Sequence, residues 1–110
     1  MAALKASEAV PVFAALGDQT RLTLLGRLST EGPLSITHLS EGTGVTRQAI
    51  TRHLHTLGRA GLVRDMRRGR ERVFVLDLKR LEKAKQYLDH VGAEWDAAAA
   101  RLKAFVEDEE

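Results

Sequence analysis

The segment Gly42-Thr43-Gly44 is the tightest constraint on how this chain can fold. It separates two stretches whose apolar residues recur at helical spacing, and two glycines that close together break a helix running through them. Ser35 precedes the shorter stretch, Ile36–Glu41, as an N-cap, with Ile36 and Leu39 turned inward. Thr46 caps the longer one, Arg47–Ala60, and Gly61 stops it. A short helix, a glycine turn and a second helix make a helix-turn-helix over residues 35–61.

The flanks complete the pattern. Upstream, Ser7 is expected to cap a helix over Glu8–Leu16, with Pro11 tolerated in its opening turn and Gly17 at its end. Asp18 then caps Gln19–Ser29, where Leu22, Leu25 and Leu28 recur at helical spacing, and Gly32-Pro33 forces a turn. Downstream the period changes: Leu62–Arg68 and Arg72–Leu76 flank the turn Gly69-Arg70-Glu71 and predict an antiparallel hairpin. From Leu78 the helical period returns, through Leu81, Ala84, Leu88, Val91, Trp95, Ala98, Leu102 and Phe105. The expected fold is mainly α with a small β-hairpin (α+β), a winged helix-turn-helix in one domain over residues 1–110. Its wing spans 62–77 and its long C-terminal dimerisation helix 78–106, and the acidic tail beyond Phe105 is expected to fray.

The terminal helix sets the expected assembly. Tyr87, Leu88, Val91, Trp95, Leu102 and Phe105 would leave an apolar stripe in water, at roughly 1.5–3 kcal/mol per side chain if fully buried. A second copy of the chain covers that stripe and repeats the helix-turn-helix about a two-fold axis, so a homodimer is expected. The alternatives are a helix folded back onto its own domain, or Trp95 lining an effector cavity.

Charge is distributed unevenly. Residues 1–41 hold three basic and four acidic side chains, residues 42–80 ten and three, and residues 81–110 four and eight, so one segment carries nearly all the positive field. Within it, with Ile50 at zero and about 100° per residue, Leu54 and Leu57 fall within about 40° of Ile50 and face the core. Gln48, Thr51, Arg52, His55 and Arg59 fall on the opposite stripe, with Arg47 at its flank and Thr46 at its start. That stripe holds amide, hydroxyl, guanidinium and imidazole groups and no carboxylate. Such groups suit base edges and phosphates: Arg matches guanine O6 and N7, and Gln matches adenine. The hairpin adds Arg64, Arg67, Arg68, Arg70 and Arg72 against Asp65 and Glu71, placed to neutralise phosphates or enter a minor groove. Double-stranded DNA is the expected partner.

Other chemistry is poorly served. The 110 residues include no cysteine, which excludes disulfides, thiol nucleophiles and thiolate metal sites. There is no Gly-rich phosphate loop, nucleophile elbow or paired carboxylate in an apolar setting, so catalysis is not expected. No apolar run approaches the roughly 18 residues of a membrane span, and Met1–Ser7 lacks the apolar stretch of a secretion signal. A cytoplasmic protein without membrane contact or cofactor is expected. His53, at the edge of the core stripe, reads as a hydrogen-bonded packing residue.

Residues 13–63 resemble the ArsR/SmtB winged-helix repressors. The resemblance is carried by Leu16-Gly17-Asp18…Thr20-Arg21, by Val45-Thr46…Ile50…Arg52-His53-Leu54…Leu57…Ala60-Gly61-Leu62-Val63, and by the Gly-Arg wing. It implies a homodimer that occupies a partly palindromic operator and leaves it on binding an inducer, such as a small molecule. It also implies base contacts from the helix starting at Arg47, wing contacts to backbone or minor groove, and dimerisation through the terminal helices. The chain departs from metal-sensing relatives: Ser35 and Thr37 stand where their third helix carries thiolates. Asp89, His90 and Glu94 supply half of the carboxylate-histidine set used by others, with no second histidine following. No metal site is therefore expected. A hard-metal sensor and a winged-helix protein-interaction module remain the alternatives, the latter disfavoured by the retained basic face.

Overall fold

A computed structural model describes residues 4–109; Met1–Ala3 and Glu110, the ends of the expected single domain, lie outside the described residues. The elements follow the predicted order: α1 (Ala6–Leu16), α2 (Gln19–Glu31), α3 (Ile36–Ser40), α4 (Arg47–Arg59), β1 (Val63–Arg68), β2 (Glu71–Leu76) and α5 (Leu78–Asp108). Three predicted caps form. Asp18 accepts from the Arg21 N–H at 3.0 Å, Ser35 from His38 at 3.2 Å and Thr46 from Ala49 at 3.1 Å. An unanticipated fourth, Asp77, accepts from Lys79 at 3.2 Å and starts α5.

The first helix differs from expectation. It begins at Ala6 with Lys5 as N-cap, so Ser7 lies inside it, and Glu8 accepts from the Lys5 N–H at 3.0 Å. A carboxylate reaching back to the cap N–H wins over a serine hydroxyl two residues later. Pro11 consequently sits beyond the opening turn, and the helix forgoes one backbone bond, from position 11 to the Ser7 carbonyl.

The hairpin closes through a two-residue loop, Gly69-Arg70, tighter than the three residues expected, with Arg68 opposite Glu71 and Val63 opposite Leu76. Gly69 has φ of +64° while Arg70 stays negative, the sign pattern of a type II′ turn that matches strand twist. Leu34 adds a short third edge, exchanging both backbone bonds with Phe74 at 2.8 and 3.2 Å. The wing is thereby tied to the loop before α3.

The core gathers Leu24, Leu39, Ile50, Leu54, Leu57 and Leu62, all 2% exposed or less, with Val12 and Leu28 beside them. At the junction of α1, α2 and α4, the Arg21 guanidinium donates to the carbonyls of Ala14 and Ala15 and lies 3.3 Å from His53 Nδ1. His53 is the packing residue expected, and Arg21 satisfies carbonyls that the end of α1 leaves open. The Arg21 backbone bond, then the nearby guanidinium and imidazole, hold the Asp18 carboxyl below its ordinary value.

Only the first part of α5 joins this core. Ala84 is buried and Tyr87 packs at a tilt against Phe13 with ring centroids 5.8 Å apart, whereas every described residue from 93 onward is exposed. The helix runs as an arm to Asp108, so the tail expected to fray continues the helix. The radius of gyration is accordingly 18.4 Å, against about 13 Å for a compact domain of this length.

Two outcomes are expected. Arg21→Ala should lower stability by about 1–3 kcal/mol in a denaturant titration, because charged hydrogen bonds to two carbonyls disappear. Asp18→Asn keeps the cap but removes the charge. The stabilisation from a depressed carboxyl is present above its unfolded pKa and lost as pH falls through the folded one. The stability gap between wild type and Asp18→Asn should therefore shrink below about pH 4, as thermal melts across pH would show.

Candidate nucleic-acid interface

The rotation of α4 is set by its apolar side. Ile50, Leu54 and Leu57 are buried, and the opposite side, Gln48, Thr51, Arg52, His55 and Arg59, is exposed. Arg47 is also exposed on the first turn. The predicted stripe is therefore assembled on one solvent face. Among the described residues none of Arg47, Arg52, Arg59 or His55 is engaged in an ion pair, so their donors are open to a polyanion. Two predicted residues are partly committed elsewhere. Thr46 Oγ1 serves the helix cap, and Thr51 Oγ1 donates to the Arg47 carbonyl at 2.8 Å, leaving its methyl and lone pairs outward-accessible.

The turn before α4 is fixed from two directions. Gly42 and Gly44 take φ of +71° and +70°, where a side chain would be strained. Between them the Thr43 hydroxyl donates to the Ser40 carbonyl at 3.0 Å and accepts from the Val45 N–H at 3.1 Å. From α2, Arg27 donates through one Nη to the carbonyls of His38 and Leu39 at 3.1 and 3.2 Å. Its Nε meets Glu31 at 2.9 Å, and that contact raises the Arg27 pKa and lowers the Glu31 pKa. Arg27 thus closes the C-terminus of α3 and positions the whole helix-turn-helix. No local signature in the sequence marks it, because its partners lie eleven and twelve residues away.

The wing lies beside the exposed face. A cleft of about 440 Å³ separates α4 from the hairpin, bordered by Thr51, His55 and Arg59 on one side and Asp65 and Arg72 on the other. Arg67 and Arg72 stand directly opposite in the strand register, a like-charge pairing that sheets disfavour. Asp65, diagonal to Arg72, takes its guanidinium in an ion pair. Arg72 is thereby occupied within the hairpin. Arg67, Arg68 and Arg70 are exposed, and Arg70 occupies the loop tip. Arg64 is exposed as well, so four of the hairpin's five arginines are unpaired among the described residues.

The remaining candidates lie apart from this face. His90 Nε2 and Glu94 Oε1 are 3.0 Å apart on the exposed arm, a pair at i,i+4 spacing. Among the described residues no group of three histidines or carboxylates is placed to hold a metal ion. Leu88, Trp95, Leu102 and Phe105 are exposed on α5, Val91 is half-buried, and Tyr87 is turned toward Phe13 of its own chain. No helix among the described residues is long and apolar enough to cross a membrane.

Known proteins share this arrangement. A helix-turn-helix domain family matches residues 16–65, the stretch from the end of α1 into β1. The chain is 39% identical over 72 residues to an uncharacterized HTH-type transcriptional regulator, YuzN, of Bacillus subtilis, covering 60% of this chain and 78% of that one. It is 34% identical over 95 residues to the HTH-type transcriptional regulator Rv2034 of Mycobacterium tuberculosis, covering 86% and 85% of the two chains. Its fold matches the solved structure of an ArsR-like transcriptional regulator from Rhodococcus sp. RHA1 with a TM-score of 0.76 and 37% identity, over 90% of this chain and 92% of the other. With three of the four predicted caps, the glycine turn and the wing in place, the chain belongs to the ArsR-type winged helix-turn-helix transcriptional regulators, a DNA-binding and non-enzymatic family.

Proposed function

We propose that this protein is a homodimeric repressor that occupies a partly palindromic operator and is displaced from it by a signal such as a small-molecule inducer. The observation that carries the reading is the carboxylate-free, unpaired cationic face of α4, held outward by a buried apolar face on the other side. In this reading residues 35–61 read the major groove, 62–77 contact backbone or minor groove, and 78–106 join two copies, all as parts of one domain. Gln48, Arg52 and His55 meet base edges, while Arg47, Arg59, Arg67, Arg68 and Arg70 neutralise phosphates. Arg72 acts through Asp65, keeping the hairpin paired. Repression is steric, since a bound dimer excludes polymerase from the promoter.

Second-copy pairing is supported by the exposed apolar residues of the arm. Trp95, Leu102 and Phe105 are each more than 60% exposed in the single chain, and singly scattered apolar residues do not align on one helix this way. A two-fold axis also presents α4 twice, which doubles the contact set and sets the half-site spacing.

Arg52→Ala should cost about 1–3 kcal/mol on the operator and relax sequence preference, measured by fluorescence anisotropy on operator and random duplexes. An equal loss on both duplexes would assign Arg52 to phosphate. Trp95→Glu should give monomers at micromolar concentration by light scattering, because a carboxylate in a closed apolar seam loses its hydration. A dimer of unchanged affinity would contradict the role given to the arm.

A further inference from the structure

The hairpin has two faces, and its register sorts the charges between them. Residues directly opposite share a face, and neighbours along a strand alternate. Val63, Asp65 and Arg67 therefore lie on one side with Leu76, Phe74 and Arg72, and Arg64, Met66 and Arg68 on the other with Val75, Val73 and Glu71. The first side is turned to α4, since Val63, Asp65, Arg72 and Phe74 border the cleft between them. Among the described residues lining that cleft Asp65 is the single carboxylate, set among Arg59, Arg64, Arg72 and His55.

Building on the reading of α4 and the wing as one DNA-binding face, we propose that Asp65 withholds Arg72 from the duplex. By doing so it sets how much of the protein's DNA affinity is independent of sequence. Arg72 donates through Nε to Asp65 Oδ2, so a donor that would meet a phosphate oxygen is already taken. A carboxylate offers a guanidinium the same kind of charged oxygen acceptor as a phosphate. Asp65 offers it from the adjacent strand, with no partner to be brought from solution. Arg67 stands directly opposite Arg72, and repulsion between the two favours the conformer of Arg72 that is turned to Asp65. Glu71, on the far side opposite Arg68, is not placed to do the same.

The pair is too wet to serve mainly as a staple. Its side chains are 72% exposed at Arg72 and 42% at Asp65, and exposed ion pairs add little to folding stability. Its main consequence is the charge that the wing presents. Each phosphate that a cation neutralises steepens the fall of log K with log salt by about 0.9. With Arg72 held at Asp65 that count excludes one arginine per subunit, and a larger share of the affinity is left to base contacts from α4.

The salt dependence of binding to a random duplex tests this, because it counts phosphate contacts without needing an operator. Asp65→Asn should steepen the slope of log K against log salt by about 0.9 per bound subunit. The same change made in the Arg72→Gln protein should leave the slope nearly as it was, since no cation remains to be released. Equal steepening in both backgrounds would overturn the proposal, because Asp65 would then act only as a negative charge near the duplex. No steepening in either would overturn it as well. A wild type that binds no duplex at all would instead remove the DNA-binding reading beneath it. A second measurement needs no variant. On titrating the wild type with duplex, the NMR signal of the Arg70 Nε–H should shift while that of Arg72 keeps its free-protein position. An Arg72 signal that moves as far as that of Arg70 would show phosphate displacing Asp65 and would contradict the restraint.

Discussion

Ile50, Leu54 and Leu57 are withdrawn from water on one side of α4, within a core shared with Leu24, Leu39 and Leu62. At roughly 1.5–3 kcal/mol per buried side chain, turning α4 by a single residue would cost several kcal/mol, so the rotation of the helix is fixed by its apolar face. The outward direction of Arg52, Gln48 and His55 is a consequence of that burial. So is the position of the wing, because Leu62 and Val63 leave α4 within the same core and carry the hairpin alongside. The direction of the proposed DNA-reading face is thus specified by what α4 hides.

Arginine does opposite work in two places. Arg21 and Arg27 turn inward, closing the ends of α1 and α3 and linking three helices to the reading head. The arginines of α4 and the wing face outward, with Asp65 engaging one of them. The guanidinium suits both tasks, since its five donors satisfy helix carbonyls inside and match the phosphate oxygens that the proposed function sets outside.

Most of the architecture is legible in the sequence because the signals are local. A capping residue, an apolar period and a stop glycine mark α2, α3 and α4 to within two residues at each end. Where two local signals compete, the stronger one sets the boundary: Glu8 reaching back to Lys5 moves the start of α1 ahead of Ser7. The Arg27 clamp and the Tyr87–Phe13 contact are invisible for another reason, since each joins residues far apart in the chain. The Asp65–Arg72 pair follows from strand register, which a three-residue turn would have shifted. The helical tail beyond Phe105 shows that a run of acidic residues with good helix propensity need not end a helix.

In the proposed function, the outward cationic face of α4 recognises a particular duplex. That recognition is tested most directly by anisotropy of the EDTA-treated protein on the DNA upstream of its own gene, with excess random duplex at about 150 mM salt, where non-specific binding is weakened. Tight binding that survives the competitor and reverses on adding unlabelled upstream DNA is expected. Binding abolished by random duplex would contradict it, since a charged surface without recognition behaves that way.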